Sequence, residues 1–278
     1  LSEGQRRRLA WVGPGLLLAL AAVAFHGLVL WDPRSHGFTA LVGWFFETSE
    51  SSPQLVFAIV AALLVRRRRE LREVRGEAAP ALAALCLVPA IGIHLWAHWV
   101  DALDLSVVSL GLVALGAGFW LGGRPLARVL APPLAILAFA IPLPGALHNF
   151  LVYPYQLTTA GVADAVLRAA GYDVVVHGDL ITLGSRQFEV IETCSGFRSA
   201  QTLALLACAW AAWFRCPWWH TGLLLAAAPA IAFVTNGIRV LILVLHPSPA
   251  IHTSHATQGF VMFIVGIVAL GLVDRPLF

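Results

Sequence analysis

Three residues of different chemistry fall at the edges of apolar runs in the second half of the chain: Cys194, Arg239 and His255. A thiol is a nucleophile once a base takes its proton, and an imidazole can both take that proton and deliver one to a leaving amine. A guanidinium can stabilise thiolate or tetrahedral oxyanion, or clamp a substrate carboxylate. The set therefore suits acyl transfer. Cys194 opens Cys194-Ser195-Gly196-Phe197-Arg198, where a polar segment meets an apolar run, so it is expected at the water-membrane boundary and at a helix start. Helix starts present free N–H groups and partial positive charge, which favour a thiolate and can hold an oxyanion. Asn236 lies one turn before Arg239 on the same helical side. Glu192 is close enough in sequence to orient His255 or to pair with Arg198 or Arg239. Each residue also has an inert reading: an unreactive helix-end cysteine, an amphipathic interfacial histidine, an arginine that only pairs with Glu192. His252 rivals His255, and spacing does not separate them.

The elements that must position these groups follow from composition. Of 278 residues, 59% are hydrophobic and 12% charged, which excludes a soluble globule and leaves an all-α polytopic membrane protein. Apolar runs near 10–30, 41–65, 79–99, 104–122, 126–143, 195–214, 219–245 and 255–273 read as about eight transmembrane helices. Glu47, Glu50 and Pro53 interrupt the second, which reads either as a full span or as a span over Gln54–Val65 preceded by an interfacial helix. The first run follows Arg6-Arg7-Arg8, is too long for a signal-peptide core and lacks a small-x-small cleavage site, so it reads as a retained span.

The net charge of +3 comes from arginine without lysine, and the arginines sit at helix ends. They mark orientation, and no nucleic-acid partner is expected. Most fall on the N-terminal side of the spans, so both termini are expected in the cytoplasm and Cys194 on the extracytoplasmic face of the plasma (inner) membrane. The Arg66–Arg69 run also fits membrane lipids through anionic headgroups. His94, His98 and Asp101 have a spacing that could pair two imidazoles on a metal, but an interfacial cluster with Trp96 and Trp99 explains them without one. Cys86, Cys194, Cys208 and Cys216 show no metal-ligand or disulfide spacing, and neither metal nor other cofactor is expected.

Between the fifth and sixth spans an extracytoplasmic insertion, about 144–193, interrupts what reads as a single integral domain over 1–278. Asn149 to Ala170 is an amphipathic helix whose Val152, Tyr155, Leu157, Val162, Val166 and Leu167 can lie on the membrane surface. Asp173–Val176, Leu180–Leu183 and Gln187–Glu192 then alternate as three strands of an antiparallel β-meander.

Cys194-Ser195-Gly196, then Asn236-Gly237-Ile238-Arg239, then His255-Ala256-Thr257-Gln258-Gly259 resemble, in order, the CSG, NxxR and HxxxG blocks of the exosortase/archaeosortase family. Ile141-Pro142-Leu143-Pro144, the amphipathic stretch and the meander extend the likeness over about half the chain. The resemblance implies a sortase-like membrane cysteine transpeptidase of the bacterial branch. Cys194, Arg239 and His255 would be its catalytic residues, with Glu192, Ser195, Gly196, Arg198 and Asn236 in support. Its partners would be exported proteins with a C-terminal motif, span and basic tail, and its acceptor an extracellular polysaccharide or lipid. The HxxxG spacing favours His255 over His252. Two other functions use the same residues: a transporter or polysaccharide-export component with an Arg/His relay, and an intramembrane cysteine hydrolase that does not transfer.

Overall fold

The computed structural model describes residues 53–74, 76–100, 102–141, 145–190, 195–245 and 251–275. The expected first span and the part of the second before Pro53 lie outside these residues. The chain divides into two compact units, Leu1–Pro142 and Leu143–Phe278.

In the first unit α1 (Pro53–Arg66) and the short α2 (Arg68–Glu73) precede α3 (Pro80–Val100), α4 (Leu103–Ala135) and a 3-10 turn, Ile136–Ala140. On α3, Ala83, Ala90 and Ala97 are buried at seven-residue intervals. Small residues in such a seam let helix backbones approach closely. Ser109 of α4 donates its hydroxyl to the Ala90 carbonyl at 2.8 Å. The remaining surface of α3 carries exposed Leu85, Val88, Ile91 and Leu95, a face suited to lipid rather than water. Trp96 and Trp99 stack edge to face at its end, both exposed.

The helix α4 is a hairpin. Gly123 (φ 62°, ψ −155°) breaks it, and a Cβ built on Gly118 would stand 3.6 Å from Ala127 Cα and one on Gly111 3.7 Å from Leu137 Cδ1. In a straight helix residues 111 and 137 would lie about 39 Å apart. The arms therefore run antiparallel, and they coincide with the runs 104–122 and 126–143. At the hairpin tip the Ala79 N–H donates to the Phe119 carbonyl at 2.9 Å. Arg67, nearly buried, donates to the Val129 carbonyl, so one arginine of the basic run serves the interior rather than the surface.

The second unit holds α5 (Gly145–Ala169), β1 (Val174–His177), β2 (Leu180–Leu183), β3 (Arg186–Glu189), α6 (Phe197–Phe214), α7 (Trp218–Leu245) and α8 (Ile251–Asp274). The sheet is antiparallel in the order β1-β2-β3, with Val176 opposite Ile181 and Ile181 opposite Phe188. The meander is thus present, and its third strand stops at Glu189, after which the Val190 N–H donates to the Asp179 carbonyl.

The amphipathic helix differs from expectation. Val152 and Leu167, assigned to the membrane surface, are buried. Leu167 joins Ala160, Ala163, Val174, Ile181, Val190, Val240 and Val244 in one core shared by α5, the meander and the end of α7. Only Val162 and Val166 of that set are well exposed. The apolar stripe is real, but protein covers most of it.

Among the described residues, three helical stretches are long and apolar enough to cross a membrane: Pro80–Val100, Leu105–Ala140 and Trp218–Leu245. The second contains the hairpin. The chain is mostly helical with a small sheet, and the expected total of about eight spans is not reached by the described residues.

Candidate functional site

The helix α6 starts at Phe197, not at Cys194, because Gly196 takes a left-handed conformation (φ 87°) as its N-cap. Glycine adopts this region without the clash a Cβ would bring. Ser195, fully buried, accepts the Phe197 N–H on its Oγ at 3.2 Å. One donor expected to serve an oxyanion is therefore already used as a cap. On its other side the Ser195 carbonyl accepts the Thr159 hydroxyl of α5, also buried, at 3.2 Å. Sequence reasoning did not single out Thr159, since nothing local links it to a residue 36 positions away.

Buried Asn236 of α7 closes the turn from the opposite side. A Cβ added to Gly196 would lie 3.0 Å from Asn236 Cβ and 3.2 Å from its Nδ2. Tyr155, Phe197 and Phe233 stack around Tyr155 with ring centroids 5.6 and 6.4 Å apart, joining α5, α6 and α7 beside this contact. Arg239, half-buried, follows Asn236 by one turn, and Val240 next to it enters the meander core. Arg198 is half-buried in the first turn of α6, where its carbonyl accepts the Thr202 hydroxyl. Residues 191–194 lie outside the described set, so Glu192 and Cys194 are placed only by what flanks them. Val190 is anchored in the meander core on one side and Ser195 between α5 and α7 on the other.

The side chains of His252 and His255 are also outside the described set, but the backbone of α8 fixes their level. At the opposite end of the unit, His220 Nε2 lies 2.6 Å from Asp274 Oδ1, while Trp210 Nε1 donates to Asp274 Oδ2 at 3.0 Å. This contact pins the start of α7 to the last residue of α8. From His220 to Arg239 is 19 residues of α7, and from Asp274 back to His255 is 19 residues of α8. At 1.5 Å per residue, each step is about 28 Å. Arg239 and His255 therefore stand at one level. Leu203 of α6 meets Gly266 of α8, where an added Cβ would lie 3.1 Å from Leu203 Cδ1. Eleven residues back from Gly266 is His255, and seven back from Leu203 is Gly196, so along these two helices the His255 backbone lies about 6 Å further toward this end than the Gly196 turn. Three helices thus bring Asn236, Arg239, the Ser195-Gly196 turn and the His255 backbone to one end. His252, one turn away, remains at nearly the same level.

The described cysteines, Cys86, Cys208 and Cys216, are free. Burial, and after it the Asp274 carboxylate, push the Cys216 thiol up from its ordinary value, against a backbone hydrogen bond that lowers it. Such a thiol is a poor nucleophile at neutral pH.

No curated protein and no solved structure matches the chain. A family model described as transmembrane exosortase matches residues 44–272, a range that includes part of the first unit, most of the second, the meander and all three sequence blocks. A match of that extent shows that the chain belongs to the transmembrane exosortase family.

Proposed function

We propose that the protein is a cysteine transpeptidase that cleaves a C-terminal sorting signal from exported proteins and passes them to an acceptor. The observation that carries this reading is the helix register that sets Arg239 level with His255 and one turn beyond Asn236, which meets the Gly196 turn. Cys194 Sγ attacks the substrate carbonyl, the C–N bond breaks, and a thioester remains on the enzyme. His255 takes the thiol proton and gives it to the departing amine, which carries away the substrate's span and basic tail. Arg239 holds the oxyanion in the transition state. A hydroxyl or amine of a polysaccharide or lipid acceptor then displaces the thiol, with His255 now taking the acceptor's proton. Glu192 positions His255 or Arg239.

The test is substrate size on a gel together with mass spectrometry of the trapped enzyme. Wild type should carry an acyl group on Cys194, and Cys194→Ala, His255→Ala and Arg239→Lys should each leave substrate uncleaved. Lysine fails because a point charge does not reproduce a planar, multi-donor guanidinium. Normal processing by Cys194→Ala, or an acyl group on Ser195, refutes the mechanism. Release of free acid as the sole product makes the protein a hydrolase.

The reaction is assigned to the extracytoplasmic face of the plasma membrane with both termini cytoplasmic, on the arginine distribution. A variant retaining only Cys194 should react in intact cells with a membrane-impermeant thiol reagent. Labelling confined to inverted vesicles reverses the orientation.

A further inference from the structure

The end of the second unit away from the Gly196 turn holds a second polar cluster. Cys216 lies in the turn between α6 and α7, His220 in the first turn of α7, and Asp274 at the end of α8. The sulfur, an imidazole nitrogen and a carboxylate oxygen of these residues all lie within 4.8 Å of one another. His220 and Asp274 are buried at 2% and 5% exposure. Pairing explains why an imidazole and a carboxylate can be buried together in an apolar bundle. It does not explain a thiol at the third corner, four residues before the histidine and drawn from a different element than the aspartate.

We propose that Cys216, His220 and Asp274 bind a transition-metal ion of the zinc class, with water as the fourth ligand. One sulfur, one nitrogen and one oxygen suit a borderline-soft divalent ion that takes four ligands tetrahedrally. Ligand atoms around such an ion are roughly 3.3–3.8 Å apart, given bond lengths of about 2.0–2.3 Å. His220 Nε2 and Asp274 Oδ1 stand 2.6 Å apart, so they must part by about an ångström to admit it. Cys216, half-buried in a turn rather than in a helix, can close the third side. Trp210 already donates to Asp274 Oδ2, the oxygen the metal does not take, which is how an outer partner orients a ligating carboxylate. Binding releases the Cys216 thiol proton to water, shifts the proton His220 shares with Asp274 from Nε2 to Nδ1, and changes no oxidation state. The ion ties the α6–α7 turn to the end of α8, so it braces the three helices that set the level of Arg239 and His255.

The test uses the full-length protein in detergent, stripped of metal and titrated with cobalt(II) alone, then with zinc(II) in competition. Wild type should show a sulfur-to-cobalt charge-transfer band together with intense tetrahedral ligand-field bands, all abolished by zinc. Cys216→Ala leaves the His220–Asp274 bond intact and should lose the charge-transfer band, whereas Cys194→Ala, Cys86→Ala and Cys208→Ala should keep it. Trp210→Phe should weaken cobalt affinity by about tenfold to a hundredfold, the usual cost of losing an outer partner. Absence of the band in wild type overturns the site and leaves a hydrogen-bonded His–Asp clamp. So does a band that survives Cys216→Ala.

Discussion

Gly196→Ala should leave a folded protein that processes substrate at least roughly 100-fold more slowly, the scale on which a misplacement of about 1 Å at a reacting centre is felt. The left-handed conformation at Gly196 costs an alanine about 1–2 kcal/mol. The added methyl must also push Asn236 away from a separation of 3.0 Å. Neither adjustment unfolds the unit, but both move the turn that follows Cys194. Gly184→Ala supplies the control, because Gly184 has a similar positive φ (60°) in a strand turn with open space around it. It should lose comparable stability and keep its activity. Equal processing by Gly196→Ala and wild type would separate the turn from the chemistry.

Gly123→Ala is expected to act on folding. Its backbone (φ 62°, ψ −155°) lies in a region essentially reserved for glycine, at a cost of about 1–3 kcal/mol for any other residue. The new Cβ would also lie 2.0 Å from the Glu77 carbonyl oxygen, a backbone atom that cannot rotate aside. Gly76 faces the same contact from its side, its Cβ position lying 2.3 Å from the Gly122 carbonyl oxygen. The hairpin tip must therefore separate from the segment before α3, and accumulation in the membrane and thermal stability in detergent should both fall steeply. Gly92→Ala, inside α3 with nothing within 4 Å, should be neutral or stabilise by up to about 1 kcal/mol. If both variants melt like wild type, the close approach at the tip is not structural.

Helix extents were legible because apolar runs end where arginine, proline or glycine intervenes. The runs 79–99, 195–214 and 219–245 correspond to Pro80–Val100, Phe197–Phe214 and Trp218–Leu245. The three meander strands were legible from alternation and from the glycine turns between them. The fate of Val152 and Leu167 was not, since an amphipathic pattern shows which face is apolar but not whether lipid or protein covers it. The Ser195 cap was missed because a serine before a glycine reads as part of a motif, while its role depends on where the helix starts. His220 and Asp274 are 54 residues apart, and no local spacing announces their bond. The spacing Cys216-x3-His220 was present, and only the arrival of Asp274 from α8 gives it meaning.

Val240 and Val244 belong both to a long apolar helix and to the interior of the meander. The insertion is therefore not a detachable module. Its strands cannot be exchanged for those of a relative without matching changes on α7, and variation in the two segments should be correlated. A screen for lost processing with retained protein should accordingly recover substitutions at Ile181 and Val174 as well as near Arg239, although those strand residues lie over fifty positions earlier in the chain.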